Sequence, residues 1–117
     1  MKVALTVAEP SLDARIDPRF GRGAFLLFID TDDDQWEAYP NESIKSPSGA
    51  GVKTAQFVMD HKVGAVISGD FGPNALRALQ SAHIPLYLYG KCVTGREAVE
   101  EFKAGRLRQV HFPDEGN

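Results

Sequence analysis

Apolar and polar positions divide the chain into two rhythms. The first third holds extended segments. Lys2–Val7 alternates weakly and is rich in Val, Leu and Thr, which predicts a strand. Ala24–Asp30 is an almost unbroken apolar run, the pattern of a strand buried on both faces. Polar Thr31–Asp34 then turns the chain, and Gln35–Tyr39 reads as the return strand of a hairpin. Residues 8–23 and 40–51 are loops rich in Pro and Gly. From there the period lengthens. Val52, Ala55, Val58 and Met59 recur at helical spacing, predicting a helix over Gly51–His61. Ala65–Ser68 is a short apolar strand. Gly72-Pro73-Asn74 opens a second helix that ends near His83, since proline suits the first helical position. Leu86–Tyr89 is the next strand. Thr94-Gly-Arg-Glu97 is a capping box, so a third helix runs to Ala104, with Gly105 as its C-cap. The tail from Arg106 adds at most a short edge strand. No internal repeat is visible, and residues 1–117 are expected to form one domain.

Strands alternating with helices imply right-handed crossovers and a mostly parallel sheet, with the early hairpin making one strand antiparallel. That topology gathers segments 8–23, 40–51, 69–72 and 90–94 at the carboxyl end of the parallel strands, where open α/β sheets bind ligands. The Asp32-Asp33-Asp34 turn lies at the opposite end.

Charge changes this picture only at the loop face. The net charge of −3 argues against non-specific nucleic-acid binding. Near the upper loops stand seven basic residues: Arg15, Arg19, Arg22, Lys45, Lys53, Lys91 and Arg96. Five acids oppose them: Glu9, Asp13, Asp17, Glu42 and Asp70. The rim is therefore about +2 and the remainder about −5. Either the split marks an anionic partner or it is incidental. Three helices also begin here behind glycines: Ser48-Gly-Ala-Gly51, Gly69-Asp-Phe-Gly72 and Gly90-Lys-Cys-Val-Thr-Gly95. Helix starts carry unsatisfied N–H groups and partial positive charge, which suits anions.

Cys92 is alone in the sequence, so no disulfide forms within the chain and a reducing cytoplasm is the expected setting. One thiol also cannot build a tetrathiolate centre within one chain. No span is apolar enough for a membrane helix, and the start is too short for a signal-peptide core.

At these loops the chain resembles the dinitrogenase iron–molybdenum cofactor biosynthesis family. Arg19-Phe-Gly-Arg-Gly-Ala-Phe25 is similar to the family's His-Phe-Gly-Arg-Ala-Pro-Tyr-type loop, and Gly49-Ala-Gly51 to its glycine turn. Gly69-Asp-Phe-Gly-Pro-Asn-Ala-Leu76 resembles its Gly-x-x-Gly-Pro-Asn-Ala signature, and Val93–Gly105 its closing Thr-x-x-Glu-Ala helix. The family includes NifX-type proteins and the carboxyl-terminal domain of NifB-type proteins. The resemblance implies an α/β, ribonuclease-H-like fold: a five-stranded mixed sheet of order 3-2-1-4-5, strand 2 antiparallel, with three helices. It also implies a small non-catalytic carrier of iron–molybdenum cofactor or a related metal–sulfur cluster, weakly or transiently bound, with a cluster-assembly protein as partner. The residues expected to hold such cargo are Arg19, Gly21, Arg22, Gly49, Gly51, Gly69, Asp70, Gly72, Asn74, Lys91 and Cys92. Two departures stand out: Arg19 replaces the family's loop histidine, and Asp70-Phe71 occupy positions where some relatives place cysteine. Positive charge, backbone N–H groups and Cys92 remain.

Cys92, beside Lys91 and a helix start, is expected to have a lowered thiol pKa; it is either a ligand or redox thiol or a small loop residue. His61 and His83 fall at helix C-termini and read as structural. His111 lies in the tail without a visible partner. Trp36 and Tyr39 are expected to pack on the hairpin. A nuclease needs several carboxylates converging on divalent metal, and no acid lies within the first strand. The alternative is a regulatory or scaffold module binding a phosphate-bearing small molecule or a protein partner at the glycine loops.

Overall fold

A computed structural model describes residues 1–45 and 49–110. Ser48 of the first glycine turn and His111 of the tail lie outside the described residues. The strands are β1 (Lys2–Val7), β2 (Phe25–Asp30), β3 (Trp36–Pro40), β4 (Ala65–Ser68), β5 (Leu86–Leu88) and β6 (Arg108–Gln109). The helices are α1 (Ala50–Asp60), α2 (Pro73–Ser81) and α3 (Gly95–Lys103), and a 3-10 turn covers Glu42–Lys45.

The sheet runs β3-β2-β1-β4-β5-β6. The β1–β4 and β4–β5 pairs are parallel, whereas β2 is antiparallel to both of its neighbours. The expected order of the first five strands therefore holds, but the sheet has six strands, not five. The sixth comes from the tail, where Tyr87 opposes Gln109 and Leu88 opposes Arg108 in antiparallel register. Its two residues are exposed and carry no apolar alternation, so the pattern offered at most the short edge strand expected from Arg106, while the count of five came from the family resemblance.

Period-two alternation splits the sheet into two buried faces. Ala4, Leu26, Phe28, Val66 and Leu86 face α1 and α2, meeting Ala55, Val58, Ala75 and Leu79. Val3, Leu5, Val7, Leu27, Ile29 and Ile67 face the other way and meet Ala98 and Val99 of α3. The two helices on the first face pack closely, since a Cβ on Gly51 would lie 3.2 Å from that of Ala75. At the C-terminus of α1, His61 stacks on Phe28 with centroids 4.5 Å apart, and its Nδ1 lies 2.9 Å from the Phe57 carbonyl. Tyr39 packs there too, but Trp36 stays 43% exposed, against expectation, on the edge strand β3. No described helix is long and apolar enough to cross a membrane.

Candidate functional site

The site begins with the loop after β1. Asp17 is locked to the strand it has just left: its N–H donates to the Thr6 carbonyl at 2.9 Å, and Thr6 Oγ1 donates to its carbonyl at 2.7 Å. The chain then crosses to the loop after β4. Asp70 N–H donates to Pro18 O (2.8 Å) and Phe20 N–H to Asp70 O (3.0 Å). The Phe20 ring is fully buried and tilts against Phe71 at 5.6 Å. An aromatic anchor beneath and a backbone ladder between thus hold Arg19–Arg22 against Asp70–Gly72.

The third wall is the start of α1. A Cβ on Gly21 would sit 2.8 Å from Gly51 Cα and 2.9 Å from Gly51 N, so only glycine permits this approach. Together Arg19–Arg22, Gly49–Val52 and Asp70–Ala75 enclose a cleft of ≈ 340 Å³. Both α1 and α2 begin at it. Their caps, Gly49 (φ 74°) and Gly72 (φ 73°), adopt left-handed φ values; among the described residues neither helix has a side-chain cap, and neither has an acid in its first turn. Free helical N–H groups and positive end charge therefore face the cleft, less the one donor that Pro73 lacks. Arg19 lies at the mouth, its guanidinium 3.4 Å from Asp17. Arg22 donates through Nη1 to the Ile44 carbonyl at 3.2 Å. The carboxylate of Asp70 turns back to accept the Gly72 N–H at 3.2 Å, shaping the turn.

Lys91 and Cys92 belong elsewhere. They line a second concavity of ≈ 820 Å³ between the end of β5, α3 and the segment leading into β6. The start of α3 is closed to anions, unlike the other two. Thr94 Oγ1 accepts the Glu97 N–H and Glu97 Oε1 accepts the Thr94 N–H, each at 3.2 Å. The next two N–H groups are taken as well, Gly95 by Ala14 O (3.0 Å) and Arg96 by Leu12 O (2.8 Å). The half-buried Cys92 thiol is not activated either: burial pushes its pKa up, and Glu101 and Glu97 add to the rise. The expectation of a lowered pKa from Lys91 and a helix start is therefore corrected, because burial of the thiol comes first, the charges of Glu101 and Glu97 add to it, and the helix start is already spent.

Of the sequence candidates, the structure brings Arg19, Gly21, Arg22, Gly49, Gly51, Asp70, Gly72 and Asn74 to one cleft. Gly69 lines neither concavity and instead lets Tyr89 approach, since a Cβ there would lie 2.5 Å from that ring. Among the described residues no group of three or more His, Cys, Asp or Glu side chains could hold a metal ion. Asn41, buried behind the cleft, was not among the candidates; a polar residue in a polar loop carries no signal of burial.

Comparison with known proteins places these loops in context. The family described as dinitrogenase iron-molybdenum cofactor matches residues 1–105. The chain belongs to that family. Among solved structures it is similar to the apo form of the orange protein from Desulfovibrio gigas. The two are 33% identical over 97% of this chain and 96% of that one, with a TM-score of 0.89. A proposed NifB protein from Thermotoga is 28% identical over 98% of both chains, with a TM-score of 0.82. A proposed dinitrogenase from Methanocaldococcus jannaschii, 17% identical with a TM-score of 0.67, shares the fold. Among curated proteins none matches the chain. Membership in this family fits a small protein associated with metal–sulfur cofactors.

Proposed function

We propose that this dinitrogenase-cofactor-family protein is a non-catalytic carrier that holds a preassembled, anionic metal–sulfur cluster in the cleft. Arg19, Gly21, Arg22, Gly49, Gly51, Asp70, Gly72 and Asn74 form the site. One observation supports the reading: two helix starts that have no side-chain cap among the described residues converge with Arg19 and Arg22 on one concavity. Charge and N–H donors of this kind suit the outer sulfur or oxygen atoms of a cluster that already has its full set of ligands. The donor set does not suit direct ligation, because among the described residues no cysteine or histidine lines the cleft. Iron–molybdenum cofactor is the cargo that the family description suggests, and simpler thiomolybdates share its chemistry. Cys92, facing another concavity with a raised pKa, plays no part in holding it. A cluster-assembly protein in the cytoplasm would supply or receive the cargo.

Anaerobic titration with iron–molybdenum cofactor and with tetrathiomolybdate, followed by visible absorbance after gel filtration, tests the proposal. Co-elution should weaken at least about a hundredfold in Arg19→Ala/Arg22→Ala, because the variant loses two charge-assisted contacts of ~1.5–3 kcal/mol each. It should be unchanged in Cys92→Ala. Loss in Cys92→Ala alone would replace the outer-sphere reading with thiolate ligation. Failure of either cluster to co-elute, with pyrophosphate binding instead, would move the assignment to a phosphate-bearing small molecule.

A further inference from the structure

Asn41 does not line the cleft, yet the Arg19–Arg22 wall hangs on it. Its side chain is 3% exposed and makes contacts in two opposed directions. On one side Nδ2 donates to the Gly23 carbonyl at 2.9 Å and reaches the Gly21 carbonyl at 3.4 Å. On the other, Oδ1 accepts the Ser43 N–H at 3.1 Å and the Thr54 hydroxyl, one turn into α1, at 3.4 Å. The amide orientation is unambiguous: a flip would set oxygen against two carbonyls and nitrogen against two donors. Backbone contacts repeat the tie. Asn41 N–H donates to Ala24 O (2.9 Å), and its own carbonyl accepts the Ile44 N–H (3.3 Å). Ile44 in turn offers the carbonyl on which the Arg22 guanidinium rests.

We propose that Asn41 is the positioning residue of the cleft. Its amide clamps the Gly21–Gly23 segment to the Ser43–Ile44 turn, with only the longer bond from Thr54 reaching α1, and through Ile44 it aims Arg22. Cargo affinity is thus set partly by a side chain that never touches cargo, by preorganising the groups that do. The inference rests on the anion-site reading above. The clamp has a clear weak point: a carboxylate at this position keeps the bonds to Ser43 and Thr54 but repels the two glycine carbonyls.

Asn41→Asp is the test and Thr54→Val the control, since the latter removes one bond to Asn41 at nearly constant shape without touching the loop. Two readouts are taken at a temperature where circular dichroism shows all forms folded: tetrathiomolybdate affinity, and the rate of tryptic cleavage after Arg22 with no probe present. For Asn41→Asp we expect affinity to fall, and cleavage to accelerate, by about tenfold or more, with Thr54→Val staying within about threefold on both. Wild-type affinity and cleavage in Asn41→Asp would overturn the inference, as would an equal loss of both in Thr54→Val. Should the wild type fail to bind tetrathiomolybdate, the anion-site reading fails, and the cleavage rate still decides whether Asn41 holds the loop. Asn41→Ser, which keeps one hydroxyl for one of the two sides, is the milder variant if Asn41→Asp does not fold, and its outcomes are judged in the same way.

Discussion

The approach of Gly21 to α1 is the tightest constraint on the cleft, and Gly21→Ala measures it. The added Cβ would lie 2.8 Å from Gly51 Cα, 2.9 Å from Gly51 N and 3.3 Å from the Ala50 carbonyl carbon. Comfortable carbon–carbon contact needs about 3.5–4.0 Å, so the loop must retreat from the helix by about 0.7–1.2 Å. All three opposing atoms are backbone, so no side chain can swing aside. Overpacking of this kind costs about 1–3 kcal/mol. For a chain of this size that corresponds to a fall in unfolding midpoint of about 3–15 °C. The same displacement moves Arg22 away from the Ile44 carbonyl, so tetrathiomolybdate affinity should fall along with stability. Calorimetry and the cluster titration read the two effects separately. Gly49→Ala provides the contrast. It meets nothing within 4 Å, but its φ of +74° strains an alanine, by about 1–2 kcal/mol. It should therefore lower stability without opening the loop, leaving tryptic cleavage after Arg22 unchanged. If Gly21→Ala melts and binds like the parent, the close approach is not a real constraint and the reasoning about cleft width fails.

Other consequences are more quickly stated. Burial first, then Glu101 and Glu97, hold the Cys92 thiol above its ordinary value of 9.0. Its neutral form is favoured in the folded state, so its contribution to stability is present below that value and lost as pH rises through the folded one. Iodoacetamide should modify Cys92 more slowly at pH 7.5 than it modifies free cysteine; a faster reaction would refute the environment described. In acid the sign reverses. The Arg96 hydrogen bond lowers the Asp13 pKa, the Asp32 backbone N–H lowers that of Asp30, and the Arg106 hydrogen bond lowers that of Glu101. These groups contribute above their ordinary values of 3.8 and 4.5 and lose that contribution as pH falls through the folded ones, so the melting temperature should hold from neutrality to about pH 5 and drop below about pH 4. A midpoint already falling at pH 6 would point to other groups. Thr94→Ala should cost about 1 kcal/mol by opening the α3 cap while leaving cluster affinity unchanged, because α3 starts outside the cleft.

How much of this was legible in the sequence follows from where each signal resides. Residues 25–30 announce a central strand because both faces are buried, and the residues of α1 and α2 show their stripe because one face is. Gly21, Gly49, Gly51 and Gly72 were legible as turn glycines, and topology alone brought their loops to one edge. What stayed hidden depends on contacts across the fold. Lys91 is next to Cys92 in sequence and suggested activation, whereas burial in the fold and then Glu101 and Glu97 from α3 raise its pKa. The capping box at Thr94 and Glu97 was visible, but not that Leu12 and Ala14 would take the following N–H groups. Asn41 looked like any loop residue because its burial is created by the segments it joins. The pairing of Arg108 and Gln109 with β5 needed no apolar pattern, since edge pairing is made by backbone.

The donor set also limits how tightly the proposed cargo can be held, and that limit separates the outer-sphere reading from ligation. Two guanidinium groups and two helix starts supply about four charge-assisted contacts of ~1.5–3 kcal/mol each. Association itself costs ~4 kcal/mol or more, so a dissociation constant of about 1 µM is the practical floor. Such contacts are screened by salt and involve only the outer atoms of the cluster. Release then needs no exchange of metal ligands, and a partner offering a thiolate could strip the cargo by bonding the metal directly. Thiolate ligation would behave in the opposite way: tight, insensitive to salt, and dependent on Cys92. Tetrathiomolybdate affinity that falls at least about tenfold between 50 and 500 mM salt is therefore the expected result. Affinity that is flat over that range, with a dissociation constant far below the micromolar floor, would show that a bond to metal holds the cluster and that the cleft is not where it sits.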